Sequence, residues 1–260
     1  MIAMGIERTM KSSTNTLQKG LDVLFLLSQK NTPITVPDIA QSLDLPTSSL
    51  YRIVSILRQN GLVERINKEG HLVLGNRNLS LARGLDEQSV LIKTANPVMK
   101  RLCEITNESV HLYALFGDRQ ICIDSVESSA PLRVTSSKGE MRPIYAGASG
   151  KVLLAFLPAK EREKHIEGVV IEKVATNTIT DPHLFREDLR IIRNNGYAHS
   201  RSEQIEGAEG VAAPVFDRLR RIVASLSLAG PEQRIGKKDL DELIALVRRS
   251  AEDISNALPV

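Results

Sequence analysis

Between Asp44 and Glu64 the chain carries no acid, yet it gathers Thr47, Ser48, Ser49, Tyr51, Arg52, Ser55 and Arg58 in one short stretch. Guanidinium forks and short hydroxyls without a carboxylate suit a negatively charged partner such as a phosphate backbone. A second cluster, Ala146-Gly147-Ala148-Ser149-Gly150-Lys151, sets small residues and a hydroxyl ahead of an apolar run. If that run is a helix, its first N–H groups and positive dipole end are placed to hold a carboxylate. Lys151 resembles a phosphate-binding lysine, but GASGK lacks P-loop spacing and follows no clear parallel strand, so nucleotide hydrolysis is not expected. Cys103, Cys122 and His111 raise a Cys–His nucleophile or a metal site. Two cysteines and a scattered histidine have no zinc spacing, and His111 and Cys122 fall within strand patterns, so buried structural roles are expected. No catalytic residue, metal or cofactor is implied.

The first stretch needs a helix to present it. Leu50, Ile53, Val54 and Leu57 recur at i, i+3, i+4 and i+7, which buries one face and turns Arg52, Ser55 and Arg58 outward. Thr47 is placed to cap its start, and Asn60-Gly61 to end it with a left-handed residue. Ahead of it, Thr35-Val36-Pro37-Asp38 reads as a capping box opening a helix that buries Ile39, Ala40 and Leu43. Earlier still, Leu21, Leu24, Phe25 and Leu27 predict a helix, with Phe25 on its core face. After Gly61, LVERI and HLVLG predict a short hairpin around Asn67-Lys68-Glu69-Gly70, with Arg65 and Lys68 within reach of a phosphate. Three helices with a tight turn between the last two, then a hairpin, make a winged helix-turn-helix whose third helix enters the major groove of duplex DNA. Phe25 and Tyr51 are the only aromatics before residue 81, so stacking platforms for single strands are scarce.

Beyond the wing, residues 78–90 predict a connecting helix, with breaks expected at Gly84 and Pro97. ESVHLYALF and RQICIDSVE form a strand pair around Gly117-Asp118, and GVAAPVF and RIVASLSLAG a second around Asp217-Arg218. Helices are expected at Ser149–Leu157, at Asp181–Asn195 and from Leu240 onward. Strand pairs at both ends with helices between predict a mainly antiparallel sheet flanked by helices, giving an α+β protein.

Charge divides the same way. The net charge of +3 over 260 residues lies entirely within residues 1–80, and the remainder balances. A basic, polyanion-facing module is thus joined to a neutral one. The N-terminus lacks the apolar core of a secretory signal, and no apolar run approaches the length of a membrane span. With only two cysteines, the expected setting is the reducing cytoplasm, with no membrane partner.

Taken together, TVPDIAQSLDLPTSSLYRIVSILRQNGLVER, GASGKVLLAFLP, NNGYAHSRSEQIEGAEGVAAPVFDR and VASLSLAGP resemble the IclR family of bacterial transcriptional regulators, in the family's order and spacing. The resemblance covers nearly the whole chain. It implies a flexible tail (1–13), a winged helix-turn-helix DNA-binding domain (14–77), a linker helix (78–90) and a C-terminal GAF-like α/β effector-binding domain (91–260). It also implies a regulator that represses or activates from double-stranded operator DNA, read here as a repressor, with its hold changed by a small metabolite; the mix of Leu132 and Val134 with serines and backbone donors suits an organic, sugar or aromatic acid. Members act as homodimers, often as dimers of dimers. Carried onto this chain, the effector pocket comprises Leu132, Val134, Ala148, Ser149, Ser200, Glu203, Gly210, Ser227 and Ala229. Ala229 stands where members often place a polar group, and Glu203 is open to pairing with Arg201 or Lys151 or to holding an effector hydroxyl. Two other functions remain consistent with the residues alone: a metabolite-transforming domain fused to a DNA-binding module, or an interaction scaffold with a vestigial winged helix.

Overall fold

The computed structural model describes residues 16–30, 32–82 and 89–259 and divides into two compact units, residues 1–88 and 89–260. The expected tail at 1–13 and residues 83–88 of the expected linker helix lie outside the described residues; residues 78–82 are helical.

In the first unit, α1 (Thr16–Gln29), α2 (Val36–Leu43) and α3 (Thr47–Gln59) precede the antiparallel pair β1 (Val63–Arg65) and β2 (Leu72–Leu74). The capping box forms as expected: Thr35 Oγ1 accepts from the Asp38 N–H, and the Asp38 carboxylate accepts from the Thr35 N–H. Asp44 adopts a left-handed φ of 51°, which reverses the chain within three residues and sets α3 against α2. The cap of α3 differs from expectation. Pro46 holds the cap position and Thr47 is the first helical residue, because the fixed extended backbone of Pro46 already starts the helix. Val23, Leu27, Ile39, Leu50, Ile53, Val54, Leu57, Val63 and Leu72 make the core. Phe25 is not part of it: it is 54% exposed, because Val23 and Leu27 carry the buried stripe of α1 and Phe25, two residues from each, points to the opposite side of the helix.

In the second unit, α4 (Val90–Thr106) leads into one six-stranded antiparallel sheet. Its strands are β3 (Ser109–Phe116), β4 (Arg119–Val126), β5 (Met141–Pro143), β6 (Ala198–Arg201), β7 (Ala208–Phe216) and β8 (Ile222–Pro231), in the order β5-β4-β3-β8-β7-β6. The two expected hairpins are β3-β4 and β7-β8, and they meet through β3-β8 pairing. Helix α4 continues through Pro97 instead of breaking there. Ala95, Val98, Met99, Leu102 and Cys103 bury its face against the sheet, and that packing outweighs the local cost of a mid-helix proline. Helix α5 (Gly147–Phe156), α6 (Ala159–Gly168) and α7 (Pro182–Asn195) follow, then the single turn α8 (Glu232–Ile235) and α9 (Leu240–Ala257). Helices α4 and α9 pack on one face of the sheet, and α5 and α7 on the other. The domain is therefore three layers with two apolar cores, as the alternation of buried residues on both sides of each strand requires. No described helix is long and apolar enough to cross a membrane.

Candidate nucleic-acid interface and effector cavity

Helix α3 separates its residues cleanly. Leu50, Ile53, Val54 and Leu57 are buried, Ser49 is half-buried, and Thr47, Ser48, Tyr51, Arg52, Ser55 and Arg58 are exposed. Behind its C-terminal end, Ser55, Arg58 and Gln59 face Val63, Glu64 and Arg65 of the wing across a shallow groove of about 450 Å³. Glu64 is the one carboxylate lining that groove. At the wing, Arg65 Nε donates to the Asn67 carbonyl (3.0 Å) and Nη2 to the Lys68 carbonyl (2.5 Å), so this guanidinium braces the turn that projects Lys68 outward. Asn67 Oδ1 accepts the His71 N–H across the same turn. Arg65 thus shapes the wing, while Lys68 stands free at its tip.

The second site lies where α5 meets the sheet. Gly147 opens α5 at φ +79°, a left-handed value that glycine adopts without strain, and Gly150 approaches so closely that a Cβ there would sit 2.3 Å from the Ile144 carbonyl oxygen. These two glycines let the helix start lie flat on the strands. Beneath it is a small cavity of about 50 Å³. Val134, Ala148, Ser149, Ser200, Glu203, Gly210, Ser227 and Ala229 surround it, with Gly147 of the expected helix start, as does a set not anticipated from the sequence: His111, Tyr113, Arg142, Gln204, Ile205, Ala208 and Glu209. Leu132 lies outside. Its side chain is 66% exposed and its carbonyl accepts from Arg234 Nη1, which holds that segment away from the helix start.

Strand register explains the grouping. Ser227 pairs with His111 on β3 and Ala212 on β7, and Ala229 pairs with Gly210, which pairs with Ser200 on β6. Side chains two apart on neighbouring strands share a face, so these residues all look toward α5. Glu209 is offset by one and turns to the opposite face, where its Oε1 lies 2.8 Å from His199 Nε2. The alternation was visible in the sequence. The β3-β8 pairing that brings His111 beside Ser227 was not.

Local chemistry differs from the expected open helix end. The Ala148 N–H donates to Ser200 Oγ (3.0 Å), the Gly147 N–H acts on the Glu203 carboxylate, and Ser149 Oγ donates to Gln120 Oε1 (2.6 Å). The protein's own side chains thus occupy the positive end of α5. Lys151 is buried, with Nζ 2.8 Å from Glu203 Oε1 and 3.0 Å from Asp188 Oδ2, so it is an internal counter-ion and not a phosphate ligand. Glu203 pairs with Lys151, while burial raises its proton affinity above that of an ordinary glutamate. Arg142 is held by Glu140 (2.7 Å), the Thr135 carbonyl (2.8 Å) and Gln204 Oε1 (3.5 Å). Burial, reinforced by that guanidinium, lowers the His111 pKa to about 4 and keeps the imidazole neutral. Burial likewise pushes the Cys122 thiol up to about 11, and its Sγ–H contacts the carbonyls of Asp124 and Ser136, which leaves it an inert core residue. Among the described residues no group of three or more His, Cys, Asp or Glu side chains is placed to hold a metal ion.

A three-helix unit with an acid-free third helix and a wing, followed by a cavity under a glycine-started helix, has counterparts among known proteins. The C-terminal domain of bacterial transcriptional regulator IclR matches residues 85–256, and the IclR helix-turn-helix domain matches residues 16–66. The chain belongs to the IclR family. Among IclR-family relatives, the regulator KdgR of Escherichia coli is 30% identical over 94% of this chain and 92% of its own length. KipR of Bacillus subtilis is 29% identical over 96% and 99%. An IclR homologue from Microbacterium hydrocarbonoxydans, solved with 4-hydroxybenzoate, superposes with a TM-score of 0.80 at 25% identity, covering 93% of this chain and 98% of that one. As an IclR-family member the chain is a DNA-binding transcriptional regulator with a C-terminal effector domain, and not an enzyme.

Proposed function

We propose that this IclR-family chain represses an operon by docking α3 in the major groove of a pseudo-palindromic operator, with Lys68 at the wing tip on a flanking phosphate, and that a small acid in the α5 cavity changes that grip. Thr47, Ser48, Ser49, Tyr51, Arg52, Ser55, Arg58 and Arg65 complete the DNA surface. The observation that carries this reading is the outward face of α3, where exposed Arg52 and Arg58 stand in a stretch free of carboxylates. A carboxylate there would meet one phosphate charge per roughly 1.7 Å of duplex axis. Repression accords with the relatives named as repressors, IclR and AllR of E. coli, and an acidic effector with the 4-hydroxybenzoate held by the Microbacterium homologue. The working form is a cytoplasmic homodimer or dimer of dimers reading half-sites about 34 Å apart or a multiple of that. Fluorescence anisotropy on the protein's own upstream DNA tests the reading: affinity falls as salt rises, with a log–log slope of about −0.9 per phosphate neutralised. An affinity indifferent to salt, or unchanged in both Arg52→Ala and Ser49→Ala, overturns it.

A further inference from the structure

The wing is a lever with a short root. Its strands β1 and β2 have three residues each, and a two-stranded hairpin of that size is marginally stable by itself in water. Val63 and Leu72 seat its inner face in the core, so the angle at which it leaves depends on how the strand ends are held. A strand rises about 3.3 Å per residue, so Lys68 stands roughly 15 Å beyond Leu62, and a tilt of about 10° at the root moves the tip by about 3 Å. Such a displacement equals the length of a hydrogen bond. The root must be fixed if Lys68 is to meet a phosphate while α3 lies in the groove.

Residues 75–78 fix it. The Asn78 side-chain amide donates to the Leu62 carbonyl (2.8 Å) and to the Gly75 carbonyl (2.8 Å). Leu62 immediately precedes β1 and Gly75 immediately follows β2, so one half-buried amide staples the two strands at their open end and uses both of its N–H groups there. The Gly75 N–H also donates to the Leu62 carbonyl (2.9 Å). Beside the staple, Arg77 Nη1 donates to the carbonyl of Asn60, the cap of α3 (3.1 Å), and the Arg77 N–H to the carbonyl of Gly61 (3.2 Å). A helix leaves its last carbonyls unmatched, and a guanidinium there also suits the negative end of the helix dipole. The approach is close enough to demand glycine: a Cβ on Gly75 would sit 2.2 Å from the Gly61 carbonyl oxygen. Three consecutive carbonyls, from the end of α3 to the root of β1, are thus held by Gly75, Arg77 and Asn78, none of which belongs to the apolar core.

We propose that Asn78 and Arg77 are positioning residues for operator binding: Asn78 sets the angle of the wing, and Arg77 ties that angle to α3, so that Lys68 and the helix meet the duplex together. Neither side chain touches DNA in this role. The proposal deepens the reading of α3 and the wing as the DNA surface and rests on it.

The test uses the full-length protein and its own upstream DNA, with anisotropy over a salt series and thermal melting of each variant without DNA. Asn78→Leu, similar in shape but without donors, should weaken operator binding by about tenfold and make the salt slope shallower by about one, as Lys68 leaves its phosphate. Asn78→Ser keeps one donor and should fall between Asn78→Leu and wild type; it carries the test if Asn78→Leu does not fold. Arg77→Lys, which keeps a cation and a donor for the helix end, should stay within about threefold of wild type, whereas Arg77→Ala should lose about fivefold or more. The deciding measurement is a double-mutant cycle. With Lys68→Ala in place, Asn78→Leu should cost less than about threefold, since no wing contact is left to misplace. An undiminished loss in that background, wild-type affinity in the Asn78 variants, or failure of both to fold overturns the proposal. So does an Arg77→Lys that binds no better than Arg77→Ala. Wild type that binds without salt dependence strikes the DNA reading itself; salt-dependent wild-type binding that the Asn78 variants match strikes the positioning role alone.

Discussion

The recognition helix and the effector cavity both use serine and arginine, yet they place opposite demands on them. On α3 the polar groups stand in water before they meet DNA, so each costs little in the free protein, and function is a pattern on one continuous face. Around the cavity the polar groups are buried or half-buried and mostly matched, and His111 Nε2 and Glu209 Oε2 are the lining atoms without a hydrogen-bond partner among the described residues. There, function is assembled from β3, β5, α5, β6, β8 and the segment after β6. An exposed site can thus lose a residue and lose only affinity, whereas a buried one loses stability as well.

The widest separation between the two regions should come from Lys151. Replacing it with Ala leaves Glu203 and Asp188 without their shared cation inside the domain, a loss of about 3–5 kcal/mol in urea unfolding of the second unit. A cost below about 1 kcal/mol would remove the contrast. Next comes the pH response of His111. The folded protein protonates it only below about pH 4, the unfolded chain below about 6.5, so unfolding takes up a proton across that window. Stability present at neutral pH is therefore lost as pH falls from 6.5 to 4, by about 3 kcal/mol from this group. In His111→Leu the same stretch of the stability curve should be flatter by that amount, measured by chemical denaturation at stepped pH.

On the DNA side the effect is smaller and of another kind. Arg52→Ala should weaken operator binding by about 1–3 kcal/mol if it reads a base, or reduce the salt slope by about one if it holds a phosphate. In either case stability stays within about 0.5 kcal/mol of wild type. A drop in melting temperature equal to that of Lys151→Ala would mean that α3 is held by its polar face. Smallest is Leu132→Ala: effector affinity and stability should both change by less than about 0.5 kcal/mol, because that side chain lies in solvent outside the cavity.

How much of each region could be read in advance follows the same divide. The face of α3, the capping box at Thr35 and Asp38, and both hairpins of the sheet were legible because each depends on residues within one or two turns or one strand pair. The cavity was legible only in part. Ala229, Gly210 and Ser200 lie on one register line, but His111 joins the site through Ser227, across a seam between strands more than a hundred positions apart. Phe25 and Leu132 fail for a related reason: apolar character alone does not say which of several apolar residues wins the limited interior.

By itself the sequence determined the local elements, the placement of its net charge and the polar stripe of α3, since these follow from spacing and side-chain chemistry along one stretch of chain. Only the tertiary structure decided that Lys151 is a buried counter-ion, that the helix end at Gly147 is already filled, and that His111 is buried with its Nε2 unmatched. Those outcomes depend on which distant strands pair and what each buried group then finds beside it, and no short segment carries that information.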